Sequence, residues 1–289
     1  MIERIATYKK TKEIIENNNF LFKKRFGQNF LIDGHVIKKI INGSLITKDD
    51  LVIEIGCGIG SLTQELLENA GKVIAIEIDT NLIPIVNETL KDYDNFEVIN
   101  EDILKVNINE IIEKSGYKSA KVVANLPYYI TTPIVMALLE EENNIDSITV
   151  MVQKEVGERM SAKEGTKAYG SLSVVVQFYC EAYLVANVPV NSFMPRPNVD
   201  SAVVRLTKYK DKPLKVSNEK AFFDFVKVAF SQRRKTLVNC IYSGNKYNLE
   251  KSQLEDILGN LGFNKAIRGE KFTLNEFAKL YEYLENYKK

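Results

Sequence analysis

Short apolar runs alternate with amphipathic segments between residues 51 and 152, as expected for β–α–β units that build a parallel sheet. This pattern predicts strands over residues 51–55, 72–78, 96–99, 121–124 and 148–152. It predicts connecting helices over residues 61–69, 80–91, 108–114 and 133–140. Crossovers repeated in this way predict a doubly wound α/β sheet rather than a barrel.

Two further apolar runs, at residues 183–189 and 201–206, predict a pair of strands that closes the sheet. Residues 171–179 are compatible with a helix or with a strand. Between the closing strands lies the sequence Phe193-Met194-Pro195-Arg196-Pro197. Its prolines predict a fixed loop without regular structure.

The apolar periodicity is lost after residue 206, in a charged segment that contains Pro213. Helical patterns resume over residues 221–229, 233–242, 251–258 and 273–287. We therefore expect two domains, since 289 residues are many for one. The first spans residues 1–208, with a basic leader at residues 1–25, and the second is a small all-α domain over residues 209–289.

Composition narrows the class of protein. Hydrophobic residues make up 45% of the chain and charged residues 27%, and no apolar run approaches the ~20 residues that span a bilayer. No secretory signal is visible, which favours a soluble, cytoplasmic protein. Cys57, Cys180 and Cys240 are far apart and the only histidine is His35, so we expect neither disulfides nor a metal site.

Charge is distributed unevenly, although the formal net charge is only +1. Residues 50–113 contain 14 acidic and 3 basic side chains, whereas residues 195–240 contain 11 basic and 4 acidic ones. Residues 1–25 contain 7 basic and 3 acidic side chains. Such asymmetry is typical either of a surface that faces a polyanion or of charged faces that are simply solvated.

A glycine-rich segment over residues 54–60 closes the first predicted strand and opens the first helix with the pattern G-x-G-x-G. Backbone without side chains lets a ligand approach closely there. A dinucleotide-binding fingerprint has G-x-G-x-x-G, with its third glycine where this chain has Ser61. The tighter spacing fits S-adenosylmethionine better, because that cofactor has no phosphate to bind. We expect Gly56 and Gly58 to contact it.

Acidic residues follow the next two predicted strands. Glu77, after the second, can accept hydrogen bonds from both ribose hydroxyls of an adenosyl group, and Ile78 can cover one face of its adenine. A carboxylate of Glu101 or Asp102, after the third, can accept from the adenine amino group. A glycine loop, a ribose acid and a base acid in this order predict a nucleoside cofactor.

The tetrad Asn125-Leu126-Pro127-Tyr128 follows the fourth predicted strand, at the sheet edge where open α/β sheets bind ligands. The Asn125 side-chain carbonyl and the Leu126 backbone carbonyl can accept both hydrogens of a planar exocyclic amine, while the Tyr128 ring stacks on the base. Such a site suits adenine or cytosine. Beside a bound methyl donor, it predicts methyl transfer to that amine.

These segments together resemble the ribosomal RNA adenine dimethyltransferases of the KsgA family, over nearly the whole chain. The other segments that carry the resemblance are Arg25-Phe26-Gly27-Gln28-Asn29-Phe30-Leu31, Tyr129-Ile130-Thr131-Thr132-Pro133-Ile134 and Phe193-Met194-Pro195-Arg196-Pro197-Asn198-Val199-Asp200-Ser201-Ala202. The resemblance implies a Rossmann-like class I methyltransferase sheet followed by a small helical domain.

Family resemblance also implies roles for individual residues. Asn29 and Leu31 are expected on the methionine and sulfonium side of S-adenosylmethionine, and Gly56 is expected to contact it through the backbone. Glu77 is the implied ribose ligand and Asp102 the implied adenine ligand. No metal is implied.

Asn125 is implied to reach both the cofactor and the target base. The lone pair of an adenine N6 is delocalised into the ring, so the site must make that nitrogen more tetrahedral and aim it at the methyl group. The protein then supplies mainly proximity and alignment. Because an enzyme that acts on a base takes it out of its stack, the expected catalytic residues include two stacking rings. They are Asn125, Leu126, Pro127, Tyr128 and Phe193.

Two basic clusters are predicted to neutralise RNA phosphates without reading sequence: Lys23-Lys24-Arg25 and Arg233-Arg234-Lys235. The resemblance implies the substrate, two adjacent adenines near the 3′ end of 16S rRNA in a pre-30S particle, and a role in small-subunit biogenesis. A monomer suits so large a substrate. Residues 5–18 predict a basic helix that either adds RNA contact or packs on the domain.

Three alternatives stay open. A related family methylates 23S rRNA and confers macrolide resistance, although Leu126 and the loop at residues 193–197 resemble the housekeeping group. A non-catalytic ribosome assembly factor could share the fold. A nicotinamide-dependent oxidoreductase is disfavoured by Ser61 and by the lack of a histidine for proton transfer.

Overall fold

The computed structural model describes residues 3–23, 26–141 and 143–287. The chain folds into two compact units. The first comprises Met1–Gly157 and Ala182–Lys208, and the second comprises Glu158–Glu181 and Tyr209–Lys289. The division after Lys208 coincides with the boundary that the sequence pattern predicts, and the second unit also includes a segment placed in the first domain by that pattern.

A seven-stranded sheet organises the first unit. Its strands, in chain order β1 to β7, are Leu51–Ile55, Lys72–Ile76, Phe96–Ile99, Ala120–Asn125, Ile145–Gln153, Cys180–Val188 and Ser201–Lys208. They are arranged in the order β3-β2-β1-β4-β5-β7-β6. Strands β1 to β5 are parallel, and β7 runs antiparallel to β5. The predicted Rossmann-like sheet and its closing strand pair are thereby confirmed.

Helices of the described residues precede or connect these strands, and the first of them lie between residues 8 and 160. In chain order α1 to α7, they are Tyr8–Asn17, Gly34–Ser44, Thr63–Asn69, Ile83–Thr89, Ile108–Ser115, Thr131–Glu140 and Lys154–Met160. Strand β2 is two residues shorter than predicted because the chain turns at Glu77, whose carboxylate accepts the backbone N–H groups of Gly58 and Asp79. Parallel strands of this length place the residues that follow them along one edge of the sheet.

Residues 5–18 pack on the first unit, which is one of the two roles that the sequence predicts for them. Ile5 and Phe20 are buried in the same hydrophobic cluster as helix α3. The backbone N–H of Ile5 donates to Gln64 Oε1 at 2.9 Å, and Arg4 forms an ion pair with Glu68 at 2.6 Å. Helix α1 therefore belongs to the structural core of this unit.

The segment around Phe193 corrects one prediction. Phe193–Met194 forms a two-residue strand that pairs antiparallel with Phe30–Leu31, with Leu31 opposite Phe193. Both side chains are buried in the core, and strand pairing satisfies the backbone that this burial removes from water. Regular structure therefore extends to these two residues, and the irregular loop begins at Pro195.

The second unit is helical, as predicted. Its helices α8 to α12 are Ser171–Tyr179, Glu219–Ala229, Leu237–Gly244, Lys251–Asn260 and Leu274–Tyr287. Residues 171–179, compatible with either element by sequence, form a helix. The helix predicted to begin at residue 233 begins at Leu237, because the Thr236 hydroxyl accepts the backbone N–H of Asn239 and caps it. The core of the second unit is largely aromatic and includes Phe178, Phe222, Phe225, Phe272, Phe277 and Tyr281.

Two searches of the described residues bear on function. No helix in residues 3–23, 26–141 or 143–287 is both long enough and apolar enough to cross a membrane. Within the same ranges, no group of three or more His, Cys, Asp or Glu side chains is arranged to hold a metal ion.

Candidate active site

A pocket of about 1060 Å³ lies in the first unit, where strands β1, β2 and β4 end. The structure brings every predicted cofactor contact to its lining: Asn29, Leu31, Gly56, Gly58, Glu77, Ile78, Asp102 and Asn125. Leu126, Pro127 and Tyr128 line it too. Residues far apart in sequence thus share one cavity, because parallel strands end at the same edge of the sheet.

The glycine loop opens its backbone to this pocket. Gly56 and Gly58 have φ angles of +75° and +59°, in the left-handed region that favours glycine. A Cβ added to Gly56 would meet no atom within 4 Å, so a ligand can approach the backbone there. A Cβ added to Gly58 would lie 3.1 Å from the ring of Phe30. The loop therefore requires glycine at position 58 for both conformation and space.

Glu77 is held rigidly behind this loop. One of its carboxylate oxygens accepts the Gly58 N–H at 3.1 Å and the other accepts the Asp79 N–H at 2.9 Å. Burial raises the pKa of the Glu77 carboxyl, and the hydrogen bonds from these two backbone N–H groups offset only part of that rise. The side chain is fixed by the backbone of two neighbouring turns, as a residue that must orient a ribose requires.

Glu54 is the most deeply buried carboxyl of the pocket, with 1% of its surface exposed. Its Oε2 and the Ser61 hydroxyl are buried without a hydrogen-bond partner among the described residues. Burial raises the pKa of Glu54 to about 8, against a lowering by the Thr63 hydroxyl and with a smaller rise from the charge of Glu77. Buried acceptors without partners fit a ligand that brings donor groups and positive charge, as S-adenosylmethionine does.

Asp102 and Ile78, the predicted adenine contacts, both line the pocket. Asp102 precedes a short 3₁₀ helix, Ile103–Lys105, and its Oδ1 accepts the Leu104 N–H at 3.1 Å. That capping bond directs the carboxylate toward the pocket it lines. Ile78 is 47% exposed, as expected of an apolar side chain that is available to cover a planar ring.

The Asn125 side chain has a defined orientation. Its Nδ2 donates to the backbone carbonyl of Asn29 at 2.9 Å, which leaves Oδ1 available as an acceptor in a residue that lines the pocket. The Leu126 N–H donates to the Met151 carbonyl at 3.1 Å and its side chain is buried, so the tetrad is anchored to β5. An amide oriented in this way can accept a hydrogen bond from an exocyclic amine.

Tyr128 stands where this pocket meets a second one. The second pocket, of about 920 Å³, shares Gly27, Gln28, Asn29 and Tyr128 with the first and is otherwise lined by Phe22, Lys23, Gln153 and residues 195–199. The Tyr128 hydroxyl lies 2.6 Å from the hydroxyl of the fully buried Ser201, and burial raises the pKa of the phenol. The ring is thereby held beside both cavities.

Some predicted site residues are placed elsewhere. Phe193 is 2% exposed and lines neither pocket, so in this structure it supports Leu31 rather than offering a ring to a base. Lys23 reaches the carboxylate of Asp79, with Nζ and Oδ1 2.8 Å apart. The predictions for Lys24 and Arg25 fall outside the described residues.

The predicted basic cluster of the second unit is on its surface. Arg233, Arg234 and Lys235 are exposed, in the turn before helix α10. The Arg233 guanidinium donates to the backbone carbonyl of Lys167. Residues 158–181, which the sequence pattern placed in the other domain, therefore contribute to the surroundings of this cluster.

Sequence reasoning missed the partners that hold the site together. Asp79 was visible two residues after Glu77, and Gln28 lies within a segment quoted above, but neither was given a role. Ser201 likewise lies in the last quoted segment. An unexplained polar residue beside a predicted ligand was the available signal. The partners themselves are 51 and 73 residues apart along the chain, which no local pattern reveals.

Comparison with known proteins identifies the family. The family model described as ribosomal RNA adenine dimethylase matches residues 19–285. The chain belongs to this family. The predicted family and enzyme class, an RNA methyltransferase, are thus confirmed, as is the fold class.

Relatives of the ribosomal RNA adenine dimethylase family include close matches in bacteria. A protein of Lachnoclostridium phytofermentans named ribosomal RNA small subunit methyltransferase A is 56% identical over 279 residues, which cover 96% of each chain. A protein of the same name from Clostridioides difficile is 49% identical over 280 residues, again 96% of each chain.

Solved structures of ribosomal RNA adenine dimethylase relatives agree with this assignment. A dimethyladenosine transferase from Plasmodium falciparum superposes with a TM-score of 0.74 at 31% identity, covering 90% of this chain and 98% of that one. The 23S rRNA methyltransferase ErmE has a TM-score of 0.69 at 27% identity, covering 89% of this chain and all of that one. The fold is therefore shared with a dimethyladenosine transferase and with a 23S rRNA methyltransferase.

Proposed function

We propose that this protein transfers methyl groups from S-adenosylmethionine to N6 of two adjacent adenines near the 3′ end of 16S rRNA. The observation that carries the proposal is the Asn125 amide, whose Nδ2 is bound by Asn29 and whose Oδ1 is left to accept an amine beside the cofactor pocket. The small-subunit target is supported by the names of relatives up to 56% identical.

The cofactor, when bound, supplies an activated methyl group on a sulfonium. Glu77 would orient the ribose, Asp102 would accept from the adenine amino group, and the Gly56 backbone would contact the ligand. The buried carboxyl of Glu54 would balance positive charge on the methionine part. The neutral target amine can take the methyl group directly, with S-adenosylhomocysteine as the leaving group, and the methylated nitrogen then loses its proton to water, so alignment is the main contribution of the protein.

The target base enters beside Tyr128, from the second pocket. Accepting both N6 hydrogens, by Asn125 Oδ1 and the Leu126 carbonyl, makes the nitrogen more tetrahedral and aims its lone pair. Stacking on Tyr128 contributes about 1–3 kcal/mol, as measured for aromatic–base pairs elsewhere. The bond from Tyr128 to Ser201 holds the ring in place for this contact. Phe193, being buried, acts through Leu31.

The wider partner is a pre-30S particle, bound through phosphates by Arg233, Arg234 and Lys235, and by Lys24 and Arg25 in the leader. A monomer acting in the cytoplasm, without a metal, is part of the proposal. A contribution to small-subunit biogenesis follows from a substrate that is an assembling particle.

Transfer of tritium from labelled S-adenosylmethionine to small subunits that lack the modification tests this function. Wild-type protein should label two adjacent adenines as dimethyladenosine, and Asn125→Ala should lower turnover at least 100-fold (about 2.7 kcal/mol of transition-state stabilisation) with S-adenosylhomocysteine binding retained within tenfold. Asn87→Ala, at an exposed position of helix α4 that lines neither pocket, is the matched control for loss of an amide.

The same assay, run with unmodified large subunits beside the small subunits, separates the alternatives. Label in 23S rRNA alone would favour the macrolide-resistance type of methyltransferase. This chain is structurally similar to the 23S rRNA methyltransferase ErmE. Cofactor binding without any label transfer would favour an assembly factor without catalysis. An Asn125→Ala enzyme as fast as wild type would refute the proposed role of the amide.

A further inference from the structure

A buried carboxylate beside the cofactor pocket holds the N-terminal segment in place. Asp79 is 2% exposed, and its two oxygens accept from Lys23 Nζ and from Gln28 Nε2, each at 2.8 Å. Gln28 Oε1 in turn accepts the backbone N–H of Lys23 at 2.9 Å. The ammonium also lies 5.7 Å from the centre of the Phe26 ring. Lys23, Asp79 and Gln28 together form the Asp79 node.

One side of the Asp79 node is the cofactor site. The Asp79 N–H donates to Glu77 Oε1 at 2.9 Å, while the other Glu77 oxygen accepts from Gly58. The backbone that carries the Asp79 carboxylate therefore also orients the proposed ribose ligand. Any displacement of Asp79 is transmitted to Glu77 through a single peptide hydrogen bond.

The other side of the node is the wall between the two pockets. Gln28 and Asn29 line both cavities, and Lys23 lines the second. The Asn29 carbonyl fixes the amide of Asn125. Lys23 and Gln28 are thus attached to Asp79 after strand β2, and Asn29 is attached to Asn125 at the end of β4.

The charge of Asp79 depends on this arrangement. Burial alone would raise the pKa of its carboxyl, but the hydrogen bonds from Lys23 and Gln28 outweigh burial and lower it. The carboxylate is therefore ionised and needs its cation. A buried charge that loses its partner is strongly unfavourable, so the Lys23 ammonium is committed to this contact rather than to a phosphate.

We propose that Lys23, Asp79 and Gln28 are positioning residues that hold the wall between the cofactor and target pockets, and that Lys23 serves this node and not RNA. The inference rests on the proposed function, since it assigns the node to the same two pockets. From the sequence alone, Lys23 is predicted to neutralise an RNA phosphate together with Lys24 and Arg25. The proposal replaces that role.

Two binding measurements on full-length protein separate the two roles of Lys23. In Lys23→Gln we expect the Kd for S-adenosylhomocysteine, measured by calorimetry, to rise about tenfold. The slope of log K against log salt for rRNA binding should equal that of wild type, whereas one lost phosphate contact lowers it by about one unit. Lys39→Gln, an exposed lysine on α2, controls for loss of charge, and Arg234→Ala is the reference for a changed slope.

Coupling between the members gives a second test. In the double variant Lys23→Gln with Asp79→Asn, the rise in Kd for S-adenosylhomocysteine should be smaller than the fold increases of the two single variants multiplied together. The reason is that neither charge is then left unpaired. Gln28→Ala removes one hydrogen bond without exposing a charge and serves if a charge variant does not fold. Its expected effect is a smaller rise in the same Kd.

Hydrogen exchange distinguishes failure of this inference from failure of the proposed function. Lys23→Gln should speed exchange of the amides at residues 26–29 and leave those of strand β4 unchanged. A wild-type protein that binds no S-adenosylhomocysteine would refute the proposed function but not this prediction about exchange. A lower salt slope with unchanged cofactor affinity and unchanged exchange would overturn the role proposed for Lys23.

Discussion

Replacing Glu54 by glutamine should abolish a large pH dependence of stability. The carboxyl is 1% exposed, one of its oxygens has no partner among the described residues, and it lies near a second acid, Glu77. Burial raises its pKa from 4.5 to about 8. The folded protein without cofactor therefore keeps Glu54 protonated near neutral pH, whereas the unfolded chain ionises it.

The magnitude follows from linkage between proton binding and folding. A raised carboxyl pKa means that the folded state binds the proton more tightly. Its contribution to stability is thus complete below the unfolded value of 4.5 and is lost as pH rises toward the folded value of about 8. At about 1.4 kcal/mol per pKa unit, the free energy of unfolding should fall by about 3 kcal/mol between pH 5 and pH 8 from this group alone.

Urea unfolding of the cofactor-free protein at pH 5, 6, 7 and 8 measures this fall. Glu54→Gln has no titratable group at that position. The free energy of unfolding of the variant, minus that of wild type, should therefore increase steadily as pH rises. Glu97→Gln, at an exposed carboxyl paired with Lys72, is the control and should stay within about 1 kcal/mol of wild type throughout. Parallel pH curves for wild type and Glu54→Gln would refute the reasoning.

Three further predictions concern the ligand sites. Gly58→Ala should weaken S-adenosylhomocysteine binding about tenfold, because a left-handed φ costs on the order of 1 kcal/mol and a ring carbon lies 3.1 Å from the added Cβ. Gly34→Ala, with open space around its Cβ, should bind normally by calorimetry, and equal affinities for the two variants would contradict the account. Ser201→Ala removes the 2.6 Å bond to Tyr128, worth about 1 kcal/mol, and should slow methylation several-fold in single-turnover assays with unchanged cofactor affinity. Weaker cofactor binding with an unchanged methylation rate would contradict that expectation. Arg234→Ala should lower the salt slope of rRNA binding by about one unit in filter-binding titrations; an identical slope would mean that this arginine faces away from RNA.

Much of the cofactor site was predictable because its residues follow a rule of position. In a doubly wound sheet, the segments after parallel strands converge on one edge. Glu77, Asp102 and Asn125 each follow or end a strand that periodicity reveals, and all three line one pocket. The resemblance to the family then supplied Asn29 and Leu31, which no periodicity indicates.

Phe193 and Lys23 make contacts that the sequence does not indicate, and both cases have the same cause. An aromatic residue beside prolines and a lysine in a basic run describe only local surroundings. Whether the ring is exposed depends on Leu31, which lies far away in sequence, and whether the ammonium is free depends on Asp79, 56 residues away. Such long-range contacts form only when the chain is compact.

Sequence alone determined the order of the parallel strands and of the helices that connect them, the glycine loop, the acids at the strand ends and the tetrad, because local periodicity and residue chemistry encode them. Tertiary structure decided which way the Asn125 amide points, what Lys23 binds, that Phe193 is core, and that residues 158–181 group with the helical unit. Burial and hydrogen-bond satisfaction are properties of the whole fold, so a partner can be assigned only once distant segments are brought together.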